Sequence, residues 1–214
     1  MELIHTLIDF ILHLDKHLAA MVTEYGTLTY AILFLIVFVE TGFIIMPLLP
    51  GDSLLFAAGA LAASTGALDI KIIIPLLIVA ALLGDNLNYF VGKYFSKFVK
   101  SRERILFFKR EYIEQTESFY AKHGGKTVIM ARFIPIVRTI APFVAGAGSM
   151  KYGTYIIYCI AGALLWVVGI TTLGYLLGSN PFVKQNFELV VFGIIGFSVL
   201  PMVFGFLKAK FAKS

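Results

Sequence analysis

The chain has 214 residues, 59% hydrophobic and 14% charged, with a formal net charge of +5. That length suits a single domain, and the apolar excess excludes an ordinary soluble one, which would carry much of it on its surface. Lipid is the solvent this composition calls for, and because the basic residues flank apolar spans they point to membrane sidedness rather than to nucleic acid.

Residues 2 to 24 place Leu3, Leu7, Ile11, Leu14, Leu18 and Met21 at helical steps, with Glu2, His5, Asp9, Asp15 and Lys16 largely between them. This is an amphipathic helix, expected over 1–26 and suited to the membrane interface. Asp9, Asp15 and Lys16 break any long apolar core here, so no signal-peptide pattern is present. From Leu28 to Ala63 the chain is apolar for longer than one span needs, and Glu40, Gly42, Pro47, Pro50, Gly51 and Asp52 interrupt it. Prolines in mid-membrane remove backbone donors that lipid cannot replace. The expectation is a helix from Leu28 to about Ile45, leading into a re-entrant hairpin over about 40–63 that turns near Pro50-Gly51-Asp52.

Residues 70–94 read as a full span. The stretch 93–126 that follows holds nine of the eighteen Lys and Arg residues. Within it, Arg110 to Lys122 suits a second interfacial helix. Residues 126–150 are apolar again but carry Arg132, Pro135, Arg138, Pro142, Gly146 and Gly148. Spans are expected at 155–177 and 187–207, both of sufficient length. The basic loop and the C-terminal Lys208, Lys210 and Lys213 belong on the cytoplasmic side. Two spans between residue 153 and a cytoplasmic C-terminus put 153 on that side too. Residues 126–150 then enter and leave by one face, as a second hairpin.

The halves resemble each other. Asp52 followed by Ala57-Ala58-Gly59-Ala60 is echoed by Arg138 and Val144-Ala145-Gly146-Ala147. The same parity opens the first hairpin outward, which makes the repeat inverted, a pattern of secondary transporters. The fold class is thus all-α and integral to the membrane, polytopic, with a transport core over 27–180.

An Arg or Asp at a helix centre in lipid costs roughly 2.5–3.5 kcal/mol on insertion scales. Glu40, Asp52, Arg132 and Arg138 bear that cost, with Asp85 nearer an interface. Either they pair to hold the hairpins tip to tip, or they also form a site. Arg132 and Arg138 carry planar donor forks suited to a phosphate. Glu40 and Asp52 are acids placed to exchange protons. Together they fit carriage of an anion coupled to protons. Asp85, Asn86, Asn88 and Tyr89 either line the cavity or end a span, and Trp166 reads as packing. The four histidines lie in interfacial segments without metal-ligand spacing, and the single Cys159 sits in an apolar run. No metal or other cofactor is expected.

The motifs Phe38-Val39-Glu40-Thr41-Gly42, Pro47-Leu48-Leu49-Pro50-Gly51-Asp52-Ser53, Gly84-Asp85-Asn86-Leu87-Asn88-Tyr89 and Arg132-Phe133-Ile134-Pro135-Ile136-Val137-Arg138, in this order, resemble the DedA family of the VTT-domain superfamily over residues 25–180. The match is nearest to bacterial members with a Pro-Gly-Asp-Ser hairpin. The resemblance implies two facing re-entrant hairpins in an inverted repeat, with the acidic pair at Glu40 and Asp52 and the arginine pair at Arg132 and Arg138. It also implies lipid movement between leaflets, of undecaprenyl phosphate in some bacterial members and of phospholipid in eukaryotic relatives. Dependence on the proton motive force and a role in envelope integrity go with it. The expected protein is a proton-linked flippase of the cytoplasmic membrane whose partners are a lipid phosphate, protons and membrane lipids. The alternatives are a proton-coupled exporter of small cations or drugs and a non-transport envelope assembly factor. An enzyme is not expected, because a lipid phosphatase needs a histidine at the phosphate and none lies within the broken segments.

Overall fold

The computed structural model describes residues 14–43, 51–100, 104–105, 108–109, 124–148, 150–187, 189–190, 192–194 and 196. In chain order these form α1 (Leu14–Tyr25), α2 (Leu28–Gly42), α3 (Gly51–Thr65), α4 (Ile70–Lys100), the two-residue strands β1 (Arg104–Ile105) and β2 (Phe108–Lys109), α5 (Lys126–Arg132), α6 (Pro135–Ala147), α7 (Tyr152–Leu177) and α8 (Pro181–Gln185). The strands pair antiparallel, Arg104 opposite Lys109 and Ile105 opposite Phe108, inside the basic loop. The helix expected over Arg110 to Lys122, the turn at Pro47–Pro50 and most of the span at 187–207 lie outside the described residues.

Helix ends follow local chemistry. Gly26, with φ 52, closes α1 in the left-handed conformation open to glycine, its amide bonding to the Val22 carbonyl. The Asp69 side chain accepts from the Lys71 amide at 2.8 Å and caps α4. The helix expected to reach Ile45 stops at Gly42. Conversely α4 continues past residue 94 to Lys100, because lysines such as Lys93 are good helix formers and do not oblige a helix to stop. The second broken segment breaks at Phe133-Ile134. Ile134 is extended (φ −118, ψ 110), the conformation that a following proline imposes, and Pro135 then opens α6. The two short helices α5 and α6 pack against each other.

Two helical segments, Ile70–Ser96 and Tyr152–Leu177, are long and apolar enough to cross a membrane. Their exposed positions are occupied by residues such as Val79, Leu83, Val91, Ile157, Leu165 and Leu176. Apolar side chains outside and charges inside are the distribution that lipid selects.

The chain divides into two compact units. The first draws on Met1–Ile36, Leu48–Leu77 and Val167–Ser214, the second on Val37–Pro47 and Ile78–Trp166. In the first, α3 is buried on every side from Gly51 to Ala62, and α1 packs on it. Its small residues admit the end of α7 at backbone contact. A Cβ on Gly59 would strike the Thr171 carbonyl oxygen and come within 2.9 Å of the Tyr175 nitrogen, and one on Gly174 would strike the Phe56 carbonyl. In the second unit a Cβ on Gly146 would strike the Tyr89 carbonyl and come within 3.0 Å of the Lys93 nitrogen, and one on Gly92 would strike the Phe143 carbonyl. The spacing is the same in both: glycine three residues after phenylalanine on one helix, against a carbonyl three residues before a glycine on the other. Such small-residue crossings are how helices associate where lipid offers no hydrophobic drive.

Candidate functional site

The second unit gathers the charges. Glu40 stands in the last turn of α2, Arg132 ends α5, Arg138 lies in the first turns of α6, and Asp85 and Asn88 project from α4. Arg138 Nη2 donates to Glu40 Oε1 at 2.5 Å, with side chains 6% and 1% exposed, so water does not screen this pair. Arg132 Nη2 donates to Asp85 Oδ2, equally buried. The Cys159 thiol lies 3.4 Å from the same Asp85 oxygen and 3.9 Å from Arg132 Nη2.

Both arginines lie against one aromatic ring. The guanidinium carbons of Arg132 and Arg138 lie 5.5 and 4.9 Å from the Trp166 ring centroid, within cation–π range. Gly162, one turn before Trp166, leaves the space that Arg132 fills: a Cβ there would come within 3.3 Å of Arg132 Nε.

Asn88 fixes the helix ends around these charges. Its amide Nδ2 donates to the Thr41 carbonyl at 2.8 Å and to the Thr139 carbonyl at 3.1 Å, tying the end of α2 and the start of α6 to α4. Carbonyls in the last turn of a helix lack partners within it, so Thr41 gains one here. A tyrosine set fastens α7 to α4. Tyr155 donates to the Asp85 carbonyl at 3.0 Å and stacks on Tyr89 at 4.4 Å, and Tyr89 donates to the Met150 carbonyl at 2.5 Å. The backbone carrying Asp85 is therefore tied to α7, and its carboxylate faces Arg132 and Cys159.

Of the expected site residues, Glu40, Arg132, Arg138, Asp85, Asn88 and Tyr89 thus come together in one unit. Asp52 belongs to the first unit, buried in the first turn of α3. That unit also has an open cavity of about 350 Å³, lined by α1, α3 and residues 178–187, and no expected site residue lines it. The sequence reading missed Trp166 as a shared platform and Cys159 and Tyr155 as neighbours of Asp85. The signal was available: Tyr155, Cys159, Gly162 and Trp166 recur at steps of four, three and four, one face of a helix.

Apolar helices around a buried, charge-paired centre define a polytopic α-helical membrane protein. Residues 49–176 match the VTT domain, and the chain belongs to the DedA family of membrane proteins. It is 51% identical over 211 residues to Protein DedA of Escherichia coli (strain K12), covering 98% of this chain and 96% of that one. An uncharacterized membrane protein of Mycobacterium leprae (strain TN) is 44% identical over 78% of this chain and 74% of its own. Inner membrane protein YqjA of Escherichia coli (strain K12) is 32% identical over 96% and 92%. No solved structure matches the chain.

Proposed function

We propose that this protein is a proton-linked transporter of a lipid phosphate, undecaprenyl phosphate or a related phospholipid, across the cytoplasmic membrane, in support of envelope integrity. The observation that carries the reading is the pair of buried arginines, each neutralised by a carboxylate and both lying over Trp166. Guanidinium groups held by replaceable acids, on helices interrupted beside them, suit an anion that comes and goes. The helix break at Phe133-Ile134 supports a re-entrant second hairpin, with the basic loop 93–126 and the C-terminus cytoplasmic. The matching glycine crossings support an inverted repeat with Asp52 on the hairpin that mirrors α6. A location in the inner membrane agrees with the name of the 32% identical relative.

An exporter of small cations would need carboxylates open to the cation, whereas Glu40 and Asp85 already serve arginines. The test is transport in proteoliposomes. Arg138→Ala is expected to abolish movement of a fluorescent undecaprenyl phosphate analogue between leaflets while the protein still inserts. Wild-type rates from that variant would sink the reading, and a stable partner complex with no lipid movement by the wild type would favour an assembly factor.

A further inference from the structure

Arg132 is held by Asp85, an acid outside the Glu40 and Asp52 pair, and that contact has a consequence for coupling. The Nη2 proton that Arg132 gives to Asp85 is one that a phosphate would claim. The same holds for Arg138 and Glu40. Each of these two ion pairs is neutral by itself, one guanidinium against one carboxylate.

A phosphomonoester brings about −1.5 to −2 charges at neutral pH. Added to the cluster as it stands, it would leave that charge buried without compensation, a state proteins avoid by changing protonation. Proton uptake by the two carboxylates removes the deficit. Each proton comes from water and forms an O–H bond on the acid, and the arginine released turns its donors to the phosphate.

We propose that Asp85 is a proton-exchanging acid of the transport site, occupying Arg132 while the site is empty and leaving it in neutral form when the lipid phosphate binds, with Glu40 doing the same at Arg138. This rests on the reading that the arginines hold the phosphate. Among the described contacts, the Asp85 carboxylate meets Arg132 from α5 and Cys159 from α7, Tyr155 from α7 holds the Asp85 carbonyl, and Glu40 meets Arg138 from α6. Cys159 is positioned to accept the O–H of the neutral acid through its sulfur. The number of protons taken up then follows the headgroup: about two for a doubly charged phosphomonoester and about one for a singly charged phosphodiester.

The experiment titrates the full chain in detergent with dihexanoyl phosphatidic acid and with dihexanoyl phosphatidylglycerol. Heats in two buffers of different ionisation enthalpy count the protons taken up. Wild type is expected to take up about half to one proton more with the phosphomonoester than with the phosphodiester. Asp85→Asn is expected to bind the phosphomonoester with about one proton fewer than wild type. Equal uptake for the two headgroups in wild type overturns the proposal, as does an Asp85→Asn protein that binds with undiminished uptake. If that variant does not fold, the headgroup comparison in wild type decides alone. Failure of wild type to bind either lipid overturns the phosphate reading itself, and the proposal falls with it.

Discussion

Glu40 and Arg138 meet at 2.5 Å where water is excluded, which makes each costly to remove alone. Glu40→Ala leaves a guanidinium buried beside a vacated acid, and about 3–5 kcal/mol of stability is expected to go with it. Replacing both, Glu40→Leu with Arg138→Met, removes the two charges of this pair together and is expected to recover part of that loss while transport stays dead. Thermal melting in detergent beside the proteoliposome assay checks both halves. Melting of the double variant below either single variant would contradict the argument. The sequence announced these charges, because ionisable residues in apolar runs are too expensive to be incidental. It did not announce who pairs with whom. Arg132 and Asp85 lie far apart in the chain and meet where the end of α5 reaches α4, a tertiary outcome that no local spacing encodes. Cys159 and Trp166 looked apolar for a similar reason: a thiol and an indole read as packing until the charges beside them are known.

At the scale of elements, the glycines divide by what surrounds them. Gly59 and Gly146 face main-chain atoms of the neighbouring helix that cannot rotate away, whereas Gly169, on the same helix as Gly174, has nothing within 4 Å of a Cβ. Gly59→Ala and Gly146→Ala are each expected to force their helix pairs apart and destabilise by about 1–3 kcal/mol or more. Gly169→Ala is expected to be neutral or to stabilise by up to about 1 kcal/mol through helix propensity. Melting temperatures of the three variants give the order, and a Gly146→Ala protein as stable as Gly169→Ala would show the crossing to be looser than described. Helices α4 and α7 were legible as apolar periods of sufficient length. Their ends were less so: Lys93 is exposed on a helix that simply carries on to Lys100. The break before Pro135 was written in the sequence, since a proline restricts the residue ahead of it.

At the scale of the molecule, the two crossings exchange partners between the halves of the chain. Helix α3, from the first half, meets its glycines on α7, and α6, from the second, meets its glycines on α4. The Ala-Ala-Gly-Ala and Val-Ala-Gly-Ala echoes gave a sequence hint of kinship between α3 and α6, but not that each is completed by the other half. A chain ending at residue 150 keeps α4 with α6 and deprives α3 of Thr171, Gly174 and Gly178. Such a truncation is expected to be degraded in cells and rescued when residues 151–214 are supplied as a separate polypeptide. Accumulation of the truncated chain at full-length levels without the second piece would argue that α3 needs no such partner.

The same exchange dictates an order of events at the ribosome. Helix α3 emerges early, with a bare strip of backbone at Phe56, Gly59 and Ala60, and more than half of the chain must follow before α7 exists to cover it. During that interval α1 is the partner already made, and the strip that α7 will cover stays open. Biogenesis of this protein should therefore be more sensitive to slow translation between α3 and the end of α7 than to any delay before α3.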